Sequence, residues 1–361
     1  MANFLINAVG LLDSIAVPLS ELAQKPSGAS TSFSIGVGGS ISGGINAGGS
    51  VPHVAFWDVN GGRIAQYKGD ANGHLDENYD WSTSISNDQT EPQGAARQPE
   101  YISVVAEESD AICISYIYAS GNGAQYAWYG DMGYTCNADW YPSNFTVADG
   151  HYQPKCVWID SDHSQGLRFQ GLSLHFPDFT ASQTGQQNEY TNNLDTLCKS
   201  DPRMAFWPDI VPDSVVPFFS PPLLYNTDGS DVDTSLVINK PKRRSIESSR
   251  LSKRDGRQLK PGHLVVSHFQ SHSAQELCES ATSIGPDFVS TTEGIFCDMA
   301  EKEWWSLCSS TITTGCFDLN KQTMVGNAPG NGRHETTIHS RDTATGRVIP
   351  VKSYDTSAIW G

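Results

Sequence analysis

The chain lacks most of the features that mark an enzyme or a membrane protein. None of its eight cysteines falls in a CxxC pair, which argues against a zinc ribbon or a thioredoxin-type redox motif. No GxSxG, HExxH, P-loop or GxGxxG stands in a supporting context, and no cofactor is expected. Basic residues are scarce: 23 Lys and Arg face 40 Asp and Glu, for a net charge of −17. A phosphate backbone would be repelled, so nucleic acid is not an expected partner, and an anionic membrane surface is repelled for the same reason. The apolar run near the start (MANFLINAVGLLDSIAVPLSELAQ) is cut by Asp13 and is too short to span a bilayer. No Lys or Arg precedes it, as a secretory signal would require.

What is abundant is glycine, at 33 residues, with charged residues at only 17%. That composition suits a loop-rich β protein. The stretch from Ala111 to His163 organises the reading. Ile112, Ile114, Tyr116 and Tyr118 alternate with Cys113, Ser115 and Ile117, which is the period of a strand. Ser120–Gly123 (SGNG) is turn chemistry, and QYAWY from Gln125 to Tyr129 returns as the second strand of a hairpin. KCVWI from Lys155 to Ile159 is a further strand. Upstream, Val54–Trp57, Arg63–Lys68 and Tyr101–Ala106 read as strands, with turns at Asp58–Gly62 and Gly69–Gly73. Residues 32–50 are Gly/Ser-rich but alternate Phe33, Ile35 and Val37 with small residues, as an edge hairpin would, or one that inserts into membranes or stacks with copies of itself. Leu167–Phe176 closes the sheet.

These elements predict a mainly-β chain: an amphipathic helix and linker over residues 1–29, an antiparallel β-sandwich over 30–225, a flexible dibasic segment over 226–261, and a small disulfide-bonded C-terminal module and tail over 262–361. The helix rests on Phe4, Leu5, Ala8, Val9, Leu12, Ile15, Ala16 and Leu19 at helical spacing. Residues 181–230 read as loop. Lys242-Arg-Arg244 and Lys253-Arg254 offer a kexin-like protease cleavage at Arg244 and Arg254. Ser273-Ala-Gln-Glu276 is a capping box that opens a short helix. The residues after Gln322 read as polar and extended.

Cys113, Cys136, Cys156 and Cys198 precede the basic segment; Cys278, Cys297, Cys308 and Cys316 follow it. An even count at spread spacing predicts disulfides, and Asn144-Phe-Thr146 is an acceptor for N-glycosylation, so an extracellular glycoprotein is expected. The connectivity stays open: each side can satisfy itself, or one bridge can hold two cut chains together.

Two sets of residues offer chemistry. Asp160, Asp162 and His163 place two carboxylates and an imidazole within four residues, a weak metal or acid–base candidate that Asp131 would join if their strands were neighbours. A polar turn is the plainer alternative. Trp128, Tyr129, Trp140 and Tyr141 are candidates for stacking on sugar rings, or they simply fill a β core.

Taken together, FLINAVG, CISYI…AWYGDMGYTC, KCVWIDSDH, the dibasic segment and SAQELCESATSIGPDFVSTTEGIFCDM resemble a group of secreted, cysteine-containing proteins of filamentous fungi. The resemblance implies a fungal source, secretion and disulfides; it carries over no activity, substrate or catalytic residue. The expected function is that of a secreted, proteolytically matured, non-enzymatic protein. It would act by association with itself, another surface protein or a glycan, as a structural or effector-like protein. A carbohydrate-binding module, a membrane-perturbing toxin and a metal-dependent hydrolase at Asp160, Asp162 and His163 are the alternatives.

Overall fold

The computed structural model describes residues 29–41, 44–147, 152–179, 184–236, 258–326, 340–341 and 348–361. The helix expected before residue 29 and the basic residues Arg244 and Arg254 lie outside the described residues. The chain divides into two units, Met1–Gly39 with Asn46–Glu247, and Ser40–Ile45 with Ser248–Gly361. Among the described residues no helix is long and apolar enough to cross a membrane.

Among the described residues the first unit contains thirteen strands: β1 (Ser30–Val37), β2 (Gly49–Val51), β3 (His53–Trp57), β4 (Arg63–Tyr67), β5 (Asp70–Leu75), β6 (Asp80–Ser86), β7 (Tyr101–Val105), β8 (Ile112–Gly121), β9 (Ala124–Tyr129), β10 (Trp140–Tyr141), β11 (Cys156–Ile159), β12 (Gly171–His175) and β13 (Met204–Trp207). A six-stranded antiparallel sheet runs β10-β11-β8-β1-β6, with β9 also paired to β8. A second, five-stranded sheet runs β13-β12-β7-β3-β4. One apolar cluster draws on both sheets: Phe33, Ile35, Ile114 and Ile117 from the first, Val54, Phe56, Val104 and Leu174 from the second. Burying each such side chain contributes about 1.5–3 kcal/mol.

Strand β8 departs from the simple alternation its sequence displays. Gly36 pairs with Tyr116 but Val37 pairs with Ile114, so Ser115 is an extra residue on β8. A bulge of this kind reverses which side chains face inward. Ile112, Ile114, Ile117 and Ala119 therefore enter the shared cluster, while Tyr116 and Tyr118 join Tyr129 and Phe145 on the opposite face. The hairpin from β8 to β9 turns at Asn122 and Gly123, both at positive φ (51° and 86°), the backbone that an Asn-Gly turn supplies.

Strand β1 is not an edge hairpin, as its glycines and serines predict. It lies between β8 and β6, and Phe33, Ser34, Ile35 and Val37 are fully buried. Its glycines serve packing: a Cβ on Gly36 would come within 2.2 Å of the Tyr116 ring. The turn expected at Gly69–Gly73 is also corrected, since Asp70–Leu75 forms β5 against β2. The Asp58 turn stands as read, with Asp58 Oδ1 accepting from the amides of Asn60 (3.0 Å) and Gly62 (2.8 Å).

Helices α1 (Gly130–Thr135), α2 (Thr184–Asn192) and α3 (Asp195–Cys198) complete the unit. The last two replace the loop expected over 181–230, together with β13. Helix α2 carries Gln, Asn and Glu without an apolar stripe, so periodicity could not reveal it. Two disulfides brace the unit, Cys113–Cys156 between β8 and β11, and Cys136–Cys198 between the ends of α1 and α3.

The second unit contains β14 (His263–Ser267), α4 (Ala274–Glu279), β15 (Asp287–Ser290), β16 (Ile295–Asp298), β17 (Glu303–Ser306), β18 (Cys316–Asp318), β19 (Thr323–Val325), β20 (Ser340–Arg341), β21 (Val348–Ile349) and β22 (Thr356–Trp360). Its five-stranded sheet runs β17-β16-β15-β14-β22 and is mixed: β14 is parallel to both β15 and β22. Helix α4 makes the crossover that a parallel β14–β15 pair requires. Ser273 caps it, its Oγ accepting from the Glu276 amide at 3.0 Å. The tail beyond Gln322 is not merely extended, because β22 completes the sheet. Cys278–Cys297 ties α4 to β16, and Cys308–Cys316 closes a short loop.

Candidate functional site

The Asp160, Asp162 and His163 cluster follows the end of β11. Asp160 is buried, and its Oδ2 accepts from the Ser164 amide (2.7 Å) and hydroxyl (2.9 Å). Asp162 Oδ1 accepts from the same amide at 2.9 Å. Burial pushes the Asp160 carboxyl above its ordinary range, while the Ser164 amide holds Asp162 below it. His163 takes a left-handed backbone (φ 56°) and its Nε2 lies 3.8 Å from Asp209 Oδ1. Both carboxylates thus serve one capped turn. Asp131 does not join them: in α1 it accepts from the Tyr152 hydroxyl (2.7 Å) and lies 3.8 Å from Lys155 Nζ. Among the described residues no group of three or more His, Cys, Asp or Glu side chains is placed to hold a metal ion.

The aromatic candidates are corrected outright. Trp128, Tyr129, Trp140 and Tyr141 are all fully buried. Trp128 Nε1 donates to Met204 Sδ at 3.4 Å, and Trp140 packs edge-on against Tyr134 with centroids 4.6 Å apart. Their faces are occupied inside the first unit, where large rings gain most from leaving water. Asn144 of the glycosylation acceptor is half-buried, with Thr146 exposed.

The structure assembles a different polar constellation in the first unit. Arg203, fully buried before β13, lies between Asp231 (Nη2 to Oδ2, 2.6 Å) and Asp178 (Nη1 to Oδ1, 3.3 Å). Asp178 also accepts from Tyr190 Oη (2.9 Å), Tyr225 Oη (3.1 Å) and Gln186 Nε2 (3.2 Å), and its Oδ2 lies 2.8 Å from His175 Nδ1. Burial opposes every charge here, but Arg203 and His175 outweigh it at Asp178 and hold that carboxyl below its ordinary range. The carboxylates of Asp178 and Glu100 push His175 up despite its burial. At Asp231 burial wins, and its carboxyl is raised to about 6.

Beside this network lies a cavity of about 650 Å³ lined by Glu189, Asn192, Asn193, Asp195, Thr196, Thr234 and Ser235. Glu189 links the two: its Oε2 accepts from the Asp231 amide at 3.0 Å. Every lining residue carries a hydrogen-bonding group, and of its two carboxylates Asp195 is already paired with Lys199 Nζ at 2.7 Å, so the cavity suits a polar, uncharged ligand. Sequence reasoning missed both features. The one available signal was Arg203 in PRMAFW, a cation at the head of an apolar run, since a charge is rarely buried without a partner.

No family model matches the chain, and no curated protein matches it. Among solved structures, a LOX crystal structure (Delta413-417:GS LOX) is similar at 8% identity with a TM-score of 0.21, over 37% of this chain and 17% of that one. The same enzyme in complex with arachidonate is similar at 9% identity and a TM-score of 0.21, over 37% and 16%. The chain spans about a sixth of the length of these structures, and a likeness this slight carries no argument.

Proposed function

We propose that the protein is secreted, matured by cleavage at the dibasic sites, and acts by binding a small polar ligand. The disulfide pattern is the observation that carries the first two claims. Cys113–Cys156 and Cys136–Cys198 lie wholly before Lys242-Arg-Arg244; Cys278–Cys297 and Cys308–Cys316 lie wholly after Lys253-Arg254. A cut in that segment leaves each part braced by its own bridges and no disulfide joining them. Four bridges with no free cysteine suit an oxidising compartment. Intact mass of the protein from its producer's medium, taken without reductant, tests this. Two separate masses are expected, one for a fragment ending near Arg244 or Arg254 and one for a fragment beginning just after it; a single uncut chain, or fully reduced protein found only inside cells, refutes it.

Binding rests on the cavity at Glu189. A polyhydroxylated ligand such as a saccharide fits its amides, hydroxyls and carboxylates, without the aromatic platform expected from the sequence. The two sheets of the first unit are proposed as the layers of one sandwich, because a single apolar cluster draws on both. Self-association, in this reading, rests on residues 1–29 alone, since β1 is already paired on both edges. Isothermal titration against a panel of neutral saccharides, with Asn192→Trp to fill the cavity, tests the ligand class. Heat of binding that the Trp variant abolishes is expected; silence across the panel sinks it.

A further inference from the structure

In the second unit, Asp287 opens β15 and Asp298 ends the neighbouring β16; both are fully buried. Lys352 reaches them from the stretch before β22, its Nζ 2.9 Å from Asp287 Oδ2 and 2.7 Å from Asp298 Oδ1. The surroundings are more specific than an ion pair requires. Asp287 Oδ1 accepts two hydrogen bonds, from the Met299 amide (2.8 Å) and Gln258 Nε2 (3.0 Å). Asp287 Oδ2, the atom facing the lysine, accepts a third from the Tyr354 hydroxyl at 2.8 Å. Asp298 Oδ1 accepts from the amides of Ala300 (3.0 Å) and Glu301 (3.2 Å), and its Oδ2 is buried without a hydrogen-bond partner.

We propose that Lys352 and Asp287 join in an intramolecular amide bond, with Asp298 as the proton acceptor. The parts of an acyl transfer are present: a nucleophilic nitrogen, a carboxyl carbon, a base beside the nitrogen, two donors on one carboxyl oxygen and a hydroxyl on the other. Asp298 takes a proton from the Lys352 ammonium. The freed nitrogen lone pair adds to Cγ of the Asp287 carboxyl in its neutral form. Charge developing on Oδ1 is held by the Met299 amide and Gln258, as in an oxyanion hole. The Cγ–Oδ2 bond then breaks, and Oδ2 departs as water with protons returned through Asp298 and Tyr354. One ammonium and one neutral carboxyl are consumed, one amide and one water form, the remaining proton stays on Asp298, and no oxidant or co-reactant is needed.

Two physical facts favour the step. The groups are fixed in contact, which supplies a very high effective concentration. Burial also disfavours charge, and it raises the Asp287 carboxyl toward its neutral form. The two carboxylates conversely hold the Lys352 ammonium above its ordinary range, which is why a base in direct contact is required.

Mass spectrometry of the full-length protein, with its disulfides reduced, decides the matter. The wild type is expected to weigh one water less than its sequence. A protease digest should yield the peptides of Asp287 and Lys352 as one branched species, with no cleavage after Lys352. Asp287→Asn should lose one ammonia in place of water, and Asp298→Ala should show the full sequence mass. A wild type of full sequence mass, with Lys352 and Asp287 on separate peptides, overturns the proposal and leaves a plain buried ion pair. That reading does not depend on any variant folding.

Discussion

Replacing Arg203 with Met tests the energetics of the buried network most sharply. The side chain is fully buried and offsets two buried carboxylates, Asp231 at 2.6 Å and Asp178 at 3.3 Å. Methionine fills similar volume, so the loss is electrostatic and not a cavity. Removing one partner of a buried pair typically costs about 3–5 kcal/mol, because a charge is left uncompensated. The cost should fall unevenly. Asp178 keeps His175 at 2.8 Å and two tyrosine hydroxyls, whereas Asp231 loses its cation outright. Asp231 already titrates near 6, above its ordinary 3.8. A raised carboxyl contributes stability below the unfolded pKa and loses it as pH rises through the folded one. Without Arg203 that folded value rises further, so the deficit should be largest at pH 8 and shrink toward pH 5, by about 1.4 kcal/mol for each unit of added shift. Urea unfolding followed by tryptophan fluorescence at both pH values measures this, since Trp128, Trp140 and Trp158 are buried in the same unit. Adding Asp231→Asn should recover roughly half the loss. A deficit under about 1 kcal/mol, or one independent of pH, would refute the reasoning.

Other expectations follow from the same structure. His263 is the first residue of β14 and is buried opposite Thr356 of β22, its Nδ1 2.8 Å from Thr356 Oγ1, and burial lowers it to about 4. A lowered histidine gives stability present above its ordinary 6.5 and lost as pH falls through 4, about 3 kcal/mol in all. Protection factors in β22, taken relative to the intrinsic exchange rate at each pH, should therefore fall between pH 6.5 and pH 4, and His263→Gln should remove that acid dependence; protection unchanged between pH 7 and pH 4 contradicts it. The Cys136–Cys198 bridge spans 62 residues, so Cys136→Ser with Cys198→Ser should cost about 4 kcal/mol by loop entropy, read from the shift in urea midpoint. Gly36→Ala forces its Cβ into the Tyr116 ring, and should destabilise the first unit by about 1–3 kcal/mol; a neutral result in thermal unfolding would contradict the β1–β8 packing.

The sequence by itself determined the local elements. Alternation named β3, β4, β7, β9 and β11, Asn122-Gly123 named the hairpin turn, and Ser273 with Glu276 named the cap of α4, because each signal depends only on near neighbours in the chain. The cysteine count announced disulfides for the same reason. Tertiary structure alone decided which elements lie side by side and which faces are covered. Ser115 is an unremarkable residue until pairing with β1 makes it a bulge, and that bulge sends Ile117 inward and Tyr116 out. Gly36 and its serine neighbours look like an edge until Tyr116 is packed against them. Trp128, Tyr129, Trp140 and Tyr141 look like a binding face until both sides of each ring are occupied. The disulfide partners, and therefore the independence of the two units from any bridge across the basic segment, are set by distance in space. So are the two charged clusters: Arg203 meets Asp178 and Asp231, and Lys352 meets Asp287 and Asp298, across separations along the chain that no local pattern encodes. A buried charge selects its partner by proximity in a low-dielectric interior, and only the folded chain supplies that proximity.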